Sequence, residues 1–208
     1  ASLIPRFYDA TAGTVLVDGL DVREYTFDAL YNKLGYVTQK AVLFSGTVED
    51  NVFFGQSAAE KTDASLQAAL SLSQAAEFVD KYPEKAAHPI AQLGRNVSGG
   101  QKQRLSIARA LARTPEILIF DDSFSALDYK TDATLREGLA KELPGTTKII
   151  VAQRISTIRN ADQILVLDRG EIAGLGTHDA LMASCTVYRE IAMSQLSEEE
   201  LKKGGASK

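Results

Sequence analysis

A short apolar run that ends in two acidic residues constrains the fold of this chain most strongly. The run Ile117–Phe120 holds four bulky apolar residues, and Asp121 and Asp122 follow it directly. An unbroken run of this length is typical of a strand buried on both faces in a parallel sheet covered by helices. The carboxyl ends of such strands form the edge where open α/β sheets bind ligands. Taken alone, the segment favours a simpler interpretation, a strand that ends in a solvated acidic turn.

A glycine pair at the start of a helical pattern lies upstream of this strand. Ser98 precedes Gly99 and Gly100, and a periodicity typical of a helix continues to Arg113. Ser98 is a favourable helix N-cap, and glycines allow backbone N–H groups to approach a ligand closely. A helix N-terminus with free N–H groups favours an anion. Because a buried strand with two terminal acids follows closely, the combined pattern is specific for more than a capped helix.

Length and charge limit the classes of function. The 208 residues fit one domain, and a hydrophobic content of 45% is ample for a core. The net charge of −4 gives no reason to expect a nucleic-acid partner. Cys185 is the single cysteine, which excludes an intrachain disulfide and favours a reducing compartment. No apolar run approaches the roughly 20 residues that span a bilayer, so a membrane role requires another segment or chain.

The motifs resemble those of nucleotide-binding domains of ATP-binding cassette (ABC) transporters. Val97–Gln101 resembles the signature motif of this family, Ile117–Asp121 its Walker B strand, and Ser125–Asp128 its D-loop. Tyr36–Gln39, followed by Leu43–Val48, resembles the Q-loop region of the exporter branch. The resemblance covers nearly the whole chain in the right order, so it is highly specific.

The resemblance implies an α/β fold with a P-loop NTPase-like parallel sheet core, an inserted helical subdomain and an antiparallel β edge. We expect residues 1–208 to be a partial nucleotide-binding domain, with the helical subdomain at about 56–113 and a C-terminal helix and tail at about 186–208. Local patterns predict strands over 13–19, 35–38, 117–121 and 148–152, a hairpin over 164–172, and helices over 25–34, 62–82, 130–143 and 178–183. Asp18 and Gly19 predict a turn at the end of the first strand, Thr177 is the expected cap of the last helix, and His178 is expected to be structural. The strand over 148–152 is expected to be buried.

The phosphate-binding loop of P-loop enzymes, G-x-x-x-x-G-K-[ST], is absent from the sequence. Its backbone and lysine cradle the nucleotide phosphates, and its Ser or Thr contacts magnesium. Residues 1–9 resemble the end of the helix that follows this loop in the family. We therefore expect the chain to be cut from a longer polypeptide just after the loop, and to bind ATP poorly or not at all by itself.

The family resemblance assigns ATP and Mg²⁺ as cofactors and gives roles to residues at the strand ends. Asp121 and Gln39 are expected to contact Mg²⁺, and Gln39 also to sense ATP for the membrane domain. Asp122 and Gln153 stand at the catalytic positions, where the family usually has a glutamate that polarises water and a histidine that contacts the γ-phosphate. Aspartate is one methylene shorter, and a misplacement of about 1 Å can cost on the order of 100-fold in rate. Glutamine lacks the charge of an imidazolium.

The signature side of the sequence matches the family fully. In such transporters two domains pair head to tail, so each ATP lies between the P-loop of one domain and the signature of the other. Ser98, Gly99, Gly100 and Gln101 are therefore expected to bind ATP held by a second nucleotide-binding domain, beside the D-loop residues Ser125 and Asp128. The segment 90–94 is expected to contact helices of a transmembrane domain, although Gln92 replaces the usual glutamate.

These features lead to the hypothesis of a heterodimeric, multidrug-like exporter at the cytoplasmic face of the cell membrane. In this hypothesis the chain contributes the degenerate Walker B side of one site and the intact signature of the other. A slow but symmetric homodimer is one alternative. A soluble ABC-type ATPase with no membrane partner and a non-hydrolysing scaffold that only clamps ATP are two others. Upstream apolar helices would separate the soluble enzyme from the exporter, and the effect of removing the signature serine would identify the scaffold.

Overall fold

The computed structural model describes residues 1–56 and 61–195. Contacts divide the chain into two compact units, one over 1–151 and the other over 152–208. The first unit contains a parallel sheet covered by helices, and the second contains a hairpin with three helices.

A three-stranded parallel sheet forms the centre of the first unit. The strands of this unit are β1 (Leu16–Val17), β2 (Leu20–Asp21), β3 (Leu34–Val37), β4 (Gly46–Thr47), β5 (Pro89–Ile90), β6 (Ile117–Asp121) and β7 (Thr147–Val151). The parallel sheet has the order β3-β6-β7. Its middle strand β6 is buried on both faces, as its unbroken apolar run predicts. The pairing brings the carboxyl ends of all three strands to one edge.

Strand β7 is less buried than the sequence predicts. The expectation of a buried strand over 148–152 is wrong in this respect, because Thr147 and Val151 are exposed and the residues between them are half-buried. Within the described part of this unit, β7 pairs only with β6, and its other edge carries no strand. An edge strand cannot be told from a central one by its apolar content alone.

Two pairs of short antiparallel strands accompany the sheet. Strands β1 and β2 pair around Asp18 and Gly19, whose φ values of 50° and 80° are typical of the predicted Asp-Gly turn. Strands β4 and β5 pair over a long sequence separation, which places Gly46–Thr47 beside Pro89–Ile90. The second pairing was not predicted, because each strand has only two residues.

The helices of the first unit are α1 (Phe27–Lys33), α2 (Val48–Val52), α3 (Asp63–Leu72), α4 (Ala76–Val79), α5 (Gly99–Leu111) and α6 (Tyr129–Glu142). All of them except α4 begin at a residue whose side chain caps the helix. Thr47, Thr62 and Ser98 form capping boxes for α2, α3 and α5, each of which satisfies two otherwise free N–H groups. Short 3₁₀ turns cover Lys85–Ala87 and Gln92–Gly94.

Apolar side chains cover both faces of the sheet. Val37 on β3 and Leu105 on α5 belong to the larger cluster, whereas Leu34 and Leu30 belong to a smaller cluster on the other face. Each fully buried leucine contributes about 1.5–3 kcal/mol. Gly35 allows α5 to lie close to β3, since a Cβ there would stand 2.8 Å from the Leu118 side chain and 3.1 Å from a backbone oxygen of α5.

The second unit packs two helices on a hairpin. Its elements are α7 (Ile155–Ile158), β8 (Ile164–Asp168), β9 (Glu171–Gly176), α8 (His178–Ser184) and α9 (Thr186–Gln195), and Thr177 caps α8 as predicted. His178 is buried, and its Nδ1 lies 2.8 Å from the Tyr188 hydroxyl. Burial lowers the pKa of His178, which fits a structural role for this histidine.

The predicted domain boundaries remain predictions. Helices α3, α4 and α5 fall within the proposed helical subdomain at about 56–113. Of the predicted C-terminal helix and tail at about 186–208, the structure describes only α9, and the acidic tail lies outside the described residues. Across residues 1–56 and 61–195, no helix combines the length and the apolar character that crossing a membrane requires.

Candidate functional site

Asp121 ends the buried strand β6 at the carboxyl edge of the sheet. The neighbouring strand β3 brings Tyr36 onto the same face, and the Tyr36 hydroxyl donates a hydrogen bond of 2.5 Å to Asp121 Oδ2. Burial and this hydrogen bond raise the pKa of Tyr36 to about 12, so the phenol keeps its proton at neutral pH. Tyr36 was not predicted as a site residue; the alternation of side chains along β3 is the signal that could have indicated it.

Asp122 follows in an unusual backbone conformation. Its φ is 48°, in the left-handed region that aspartate tolerates better than most residues. Its N–H donates to the Val151 carbonyl at 3.0 Å, and its own carbonyl accepts a bond of 2.7 Å from the Ser125 hydroxyl. The backbone from which this second carboxylate extends is therefore held by two hydrogen bonds in a left-handed conformation.

Gln39 connects the end of β3 to this carboxylate. Its Nε2 donates a hydrogen bond of 2.8 Å to Asp122 Oδ2. The two residues are 83 positions apart in the chain, and the parallel pairing of β3 with β6 brings them together. The structure thus gathers Gln39, Asp121 and Asp122 at one edge of the sheet; the roles that the family resemblance gives them at Mg²⁺ remain predictions.

These donors suit magnesium that arrives with a nucleotide. They offer two carboxylates and a carboxamide oxygen, all of them hard oxygen ligands. Within residues 1–56 and 61–195, no three His, Cys, Asp or Glu side chains cluster closely enough to hold a metal ion. Mg²⁺ usually takes one or two carboxylates and completes its shell with water and phosphate oxygens, so this donor set fits a nucleotide-bound Mg²⁺.

The D-loop residues serve the local turn and the following helix. Ser125 closes the turn after Asp122, as described above, and Asp128 caps α6. The Asp128 carboxylate accepts hydrogen bonds from the backbone N–H and the hydroxyl of Thr131, at 2.9 and 2.8 Å. These bonds, the backbone one first, lower the pKa of Asp128.

The signature residues form an open turn at the start of α5. Ser98 Oγ accepts from the Gln101 N–H at 3.2 Å, and Gln101 Oε1 accepts from the Ser98 N–H at 2.8 Å. A Cβ built on Gly99 would meet nothing within 4 Å, and one on Gly100 only the Ala126 carbonyl at 3.5 Å. Ser98 and Gly99 are exposed. The turn can therefore receive an anion from solvent or from another molecule without moving its own side chains.

One buried side chain joins the signature helix to the acidic edge. Gln103 on α5 is 1% exposed, and its Nε2 donates a bond of 3.2 Å to the carbonyl of Thr38, the residue before Gln39. Gln103 was not predicted as a site residue. Its position among apolar residues on the inner face of α5 was the available signal.

Gln153 belongs to the second unit, unlike the other predicted catalytic residue. It lies just before α7, its side chain is exposed, and its carbonyl accepts a bond of 2.8 Å from Gln195 Nε2. Its predicted role at the γ-phosphate remains a prediction.

A pair of exposed aromatic rings follows the Q-loop segment. Phe44 and Phe54 stack with centroids 4.3 Å apart and are 43% and 51% exposed. The guanidinium of Arg109 lies 5.4 and 5.6 Å from the two rings and donates to the Asn51 carbonyl at 2.7 Å. Asn51, buried, bonds both backbone groups of Phe44. This aromatic patch (Phe44, Phe54 and Arg109) is a rigid surface that the sequence did not reveal.

Comparison with known proteins identifies the family. A family model described as "ABC transporter" matches residues 1–125, more than half of the chain. The chain belongs to the ABC transporter family.

Relatives of this ABC transporter chain cover almost all of it. It is 48% identical over 195 residues to an uncharacterized ABC transporter ATP-binding protein of Mycobacterium tuberculosis, which is 93% of this chain and 33% of that protein. It is 40% identical over 200 residues to an ATP-dependent lipid A-core flippase of Syntrophus aciditrophicus, 96% of this chain and 33% of that protein. The chain thus spans about a third of the length of these relatives.

A solved structure confirms the fold. The structure of a bacterial Atm1-family ABC exporter with ATP bound matches with a TM-score of 0.89 and 36% identity, over 95% of this chain and 34% of that one. The predicted α/β fold of the P-loop NTPase type is therefore correct for this ABC ATP-binding domain.

Proposed function

We propose that this chain is the ATP-binding domain of an exporter and acts in a head-to-tail pair with a second such domain at the cytoplasmic face of the membrane. The names of two similar proteins, a lipid A-core flippase and an Atm1-family exporter with ATP bound, support the exporter assignment. ATP binding and hydrolysis in the pair would drive export through transmembrane helices.

The observation that carries this proposal is the open turn at Ser98–Gly100. Its glycine backbone is accessible, and among the described residues the Ser98 hydroxyl donates no hydrogen bond. A free hydroxyl donor beside the N-terminus of a 13-residue helix suits a phosphate. The nucleotide would be held by the partner domain, with Ser98 as its donor from this side.

The acidic edge would hold the other nucleotide of the pair. Asp121 and the Gln39 carboxamide oxygen are the proposed ligands of Mg²⁺, which supplies charge neutralisation to the phosphates when bound. Asp122 and Gln153 would stand where the family usually uses glutamate and histidine. The shorter Asp122 carboxylate accepts its hydrogen bond from Gln39, an arrangement that supports a degenerate site with weak turnover.

The transmembrane partner would contact the aromatic patch. Pairing of β4 with β5 brings the chain that follows Phe44 beside Pro89–Ile90, next to the segment 90–94 that the family resemblance assigns to this contact. Exposed stacked rings beside a half-buried guanidinium offer an apolar surface for a helix.

The test compares single substitutions in the full-length assembly in membranes. Ser98→Ala is expected to reduce transport-linked ATP hydrolysis by on the order of 100-fold, comparable to loss of an oriented transition-state donor. Asp122→Ala is expected to change it less than about threefold, because turnover occurs mainly at the other site. Abolition of hydrolysis by Asp122→Ala would contradict the degenerate site, and full activity of Ser98→Ala would contradict the shared one.

A further inference from the structure

The proposed function gives no role to the hydrogen bond between Tyr36 and Asp121 at the acidic edge. In the parallel pairing, Tyr36 stands opposite Ile119, two residues before Asp121 and on the same face. Side chains in strands lean along the strand direction, so the long tyrosine reaches the next position on that face. Its hydroxyl meets Asp121 Oδ2 at 2.5 Å, a length typical of a hydroxyl that donates to a charged carboxylate.

The ring of Tyr36 is itself held in place. The Phe7 ring packs against it edge to face, with centroids 5.1 Å apart, an arrangement that aromatic pairs favour. The phenol is only partly exposed. The position of the Tyr36 hydroxyl is therefore fixed by strand β3 and by the packing of the tyrosine ring against Phe7.

A carboxylate at a strand end rotates easily, because the terminal torsion of aspartate has a broad energy profile. Among the described residues, the Asp121 carboxylate has only the Tyr36 hydroxyl as a hydrogen-bond partner, and this bond occupies Oδ2. The rotation of the carboxylate is thus limited by one donor, and Oδ1 stays available for another ligand.

We propose that Tyr36 is a positioning residue for Asp121, which orients this carboxylate so that Oδ1 is the oxygen offered to the Mg²⁺ of a bound nucleotide. The proposal rests on the assignment of Asp121 as a magnesium ligand in the proposed function. It deepens that assignment, because groups that hydrogen-bond a metal ligand typically contribute 10- to 100-fold to metal affinity.

The experiment measures magnesium affinity in the full-length protein without turnover. Binding of the β,γ-imido analogue of ATP is titrated with Mg²⁺ for the wild type and for Tyr36→Phe, which removes the hydroxyl and keeps the ring against Phe7. We expect the apparent dissociation constant for Mg²⁺ to rise about 10-fold, with no change in analogue affinity in EDTA. Tyr8→Phe removes a hydroxyl from a ring that is 72% exposed and is expected to leave the Mg²⁺ affinity unchanged.

A merely structural hydrogen bond gives a different result. In that case Tyr36→Phe lowers the melting temperature but leaves the Mg²⁺ dependence as in the wild type, which overturns the proposal. The Asp121→Asn background supplies a second measurement, because there Tyr36→Phe is expected to add no further loss of Mg²⁺ affinity. An equal further loss in that background also overturns it, since the effect of Tyr36 would then not pass through Asp121.

The Asp121→Asn variant by itself distinguishes a failure of the proposed function from a failure of the positioning role of Tyr36. If it leaves the Mg²⁺ affinity unchanged, the proposed function is wrong about the metal ligand. If it weakens Mg²⁺ binding whereas Tyr36→Phe does not, only the positioning role of Tyr36 is wrong.

Discussion

The acidic edge and the signature turn, the two regions proposed to meet a nucleotide, are held in place by different structural means. At the acidic edge, Asp121 and Asp122 are oriented by Tyr36 and Gln39, residues 85 and 83 positions away in the chain. At the signature turn, the capping bonds of Ser98 all come from within three residues.

Because of this difference, the geometry of the two regions depends on different parts of the fold. The acidic edge exists only when β3 and β6 are paired, so its geometry depends on the stability of the whole sheet. The capping bonds of the signature turn involve only the first turn of α5, and Ser98 and Gly99 are exposed to solvent.

The largest expected effect comes from adding a methyl group at Gly99, which fills the open turn and leaves its backbone conformation unchanged. Gly99→Ala adds a methyl that meets no atom of this chain within 4 Å, and alanine favours the helix by up to about 1 kcal/mol. Stability to urea should therefore be unchanged or higher, while hydrolysis in the full-length assembly falls on the order of 100-fold, because a phosphate can no longer approach the backbone.

The matched control is Gly145→Ala, where a Cβ also meets nothing within 4 Å but no ligand is proposed. It should change neither urea stability nor hydrolysis. Equal activity of the Gly99→Ala and wild-type assemblies would remove the proposed functional difference between the two glycines.

The next largest effect is expected from loss of the Gln103 side chain, which joins the signature helix α5 to the acidic edge. Gln103→Ala leaves the Thr38 carbonyl without its buried donor, which costs about 1–3 kcal/mol. Urea unfolding followed by circular dichroism measures this loss. Gln67→Ala, on the exposed face of α3, should stay within about 0.5 kcal/mol of the wild type; similar losses for both variants would mean that the link contributes nothing.

Loss of the helix cap should have a smaller effect. Ser98→Ala removes the acceptor for the Gln101 N–H and should lower the free energy of unfolding by about 1 kcal/mol. Ser98→Thr keeps a hydroxyl cap and should restore most of it. A larger loss, comparable to that of Gln103→Ala, would show that the signature turn is not the local unit described here.

The pH dependence of the Asp128 cap should be the smallest effect. Hydrogen bonds from Thr131 lower the pKa of Asp128 in the folded chain, so its contribution is present above the unfolded value near pH 4 and is lost as pH falls through the lower folded value. Asp128→Asn keeps a capping side chain without a charge. The urea midpoint of this variant should fall less between about pH 5 and pH 2 than that of the wild type; identical pH profiles would contradict the assigned cap.

Local patterns were sufficient to predict much of the fold. The apolar run Ile117–Phe120 predicted the buried strand β6, and Ser98 and Thr177 predicted the starts of α5 and α8. Each prediction rests on residues that are close in sequence, where periodicity and capping determine the conformation.

Contacts between distant residues could not be predicted in this way. The bonds of Tyr36 and Gln39 to the two aspartates depend on the register of β3 against β6, which no local pattern specifies. The aromatic patch likewise depends on side chains from separate segments around the buried Asn51. The left-handed conformation of Asp122 follows from the turn after β6 and from its bond to Val151.

A structure of the full-length assembly with an ATP analogue bound tests the central claim most directly. In that structure the Ser98 hydroxyl is expected to lie about 3 Å from a phosphate oxygen of a nucleotide held by the partner domain. A Ser98 side chain that faces solvent in that state, far from every phosphate, would contradict it.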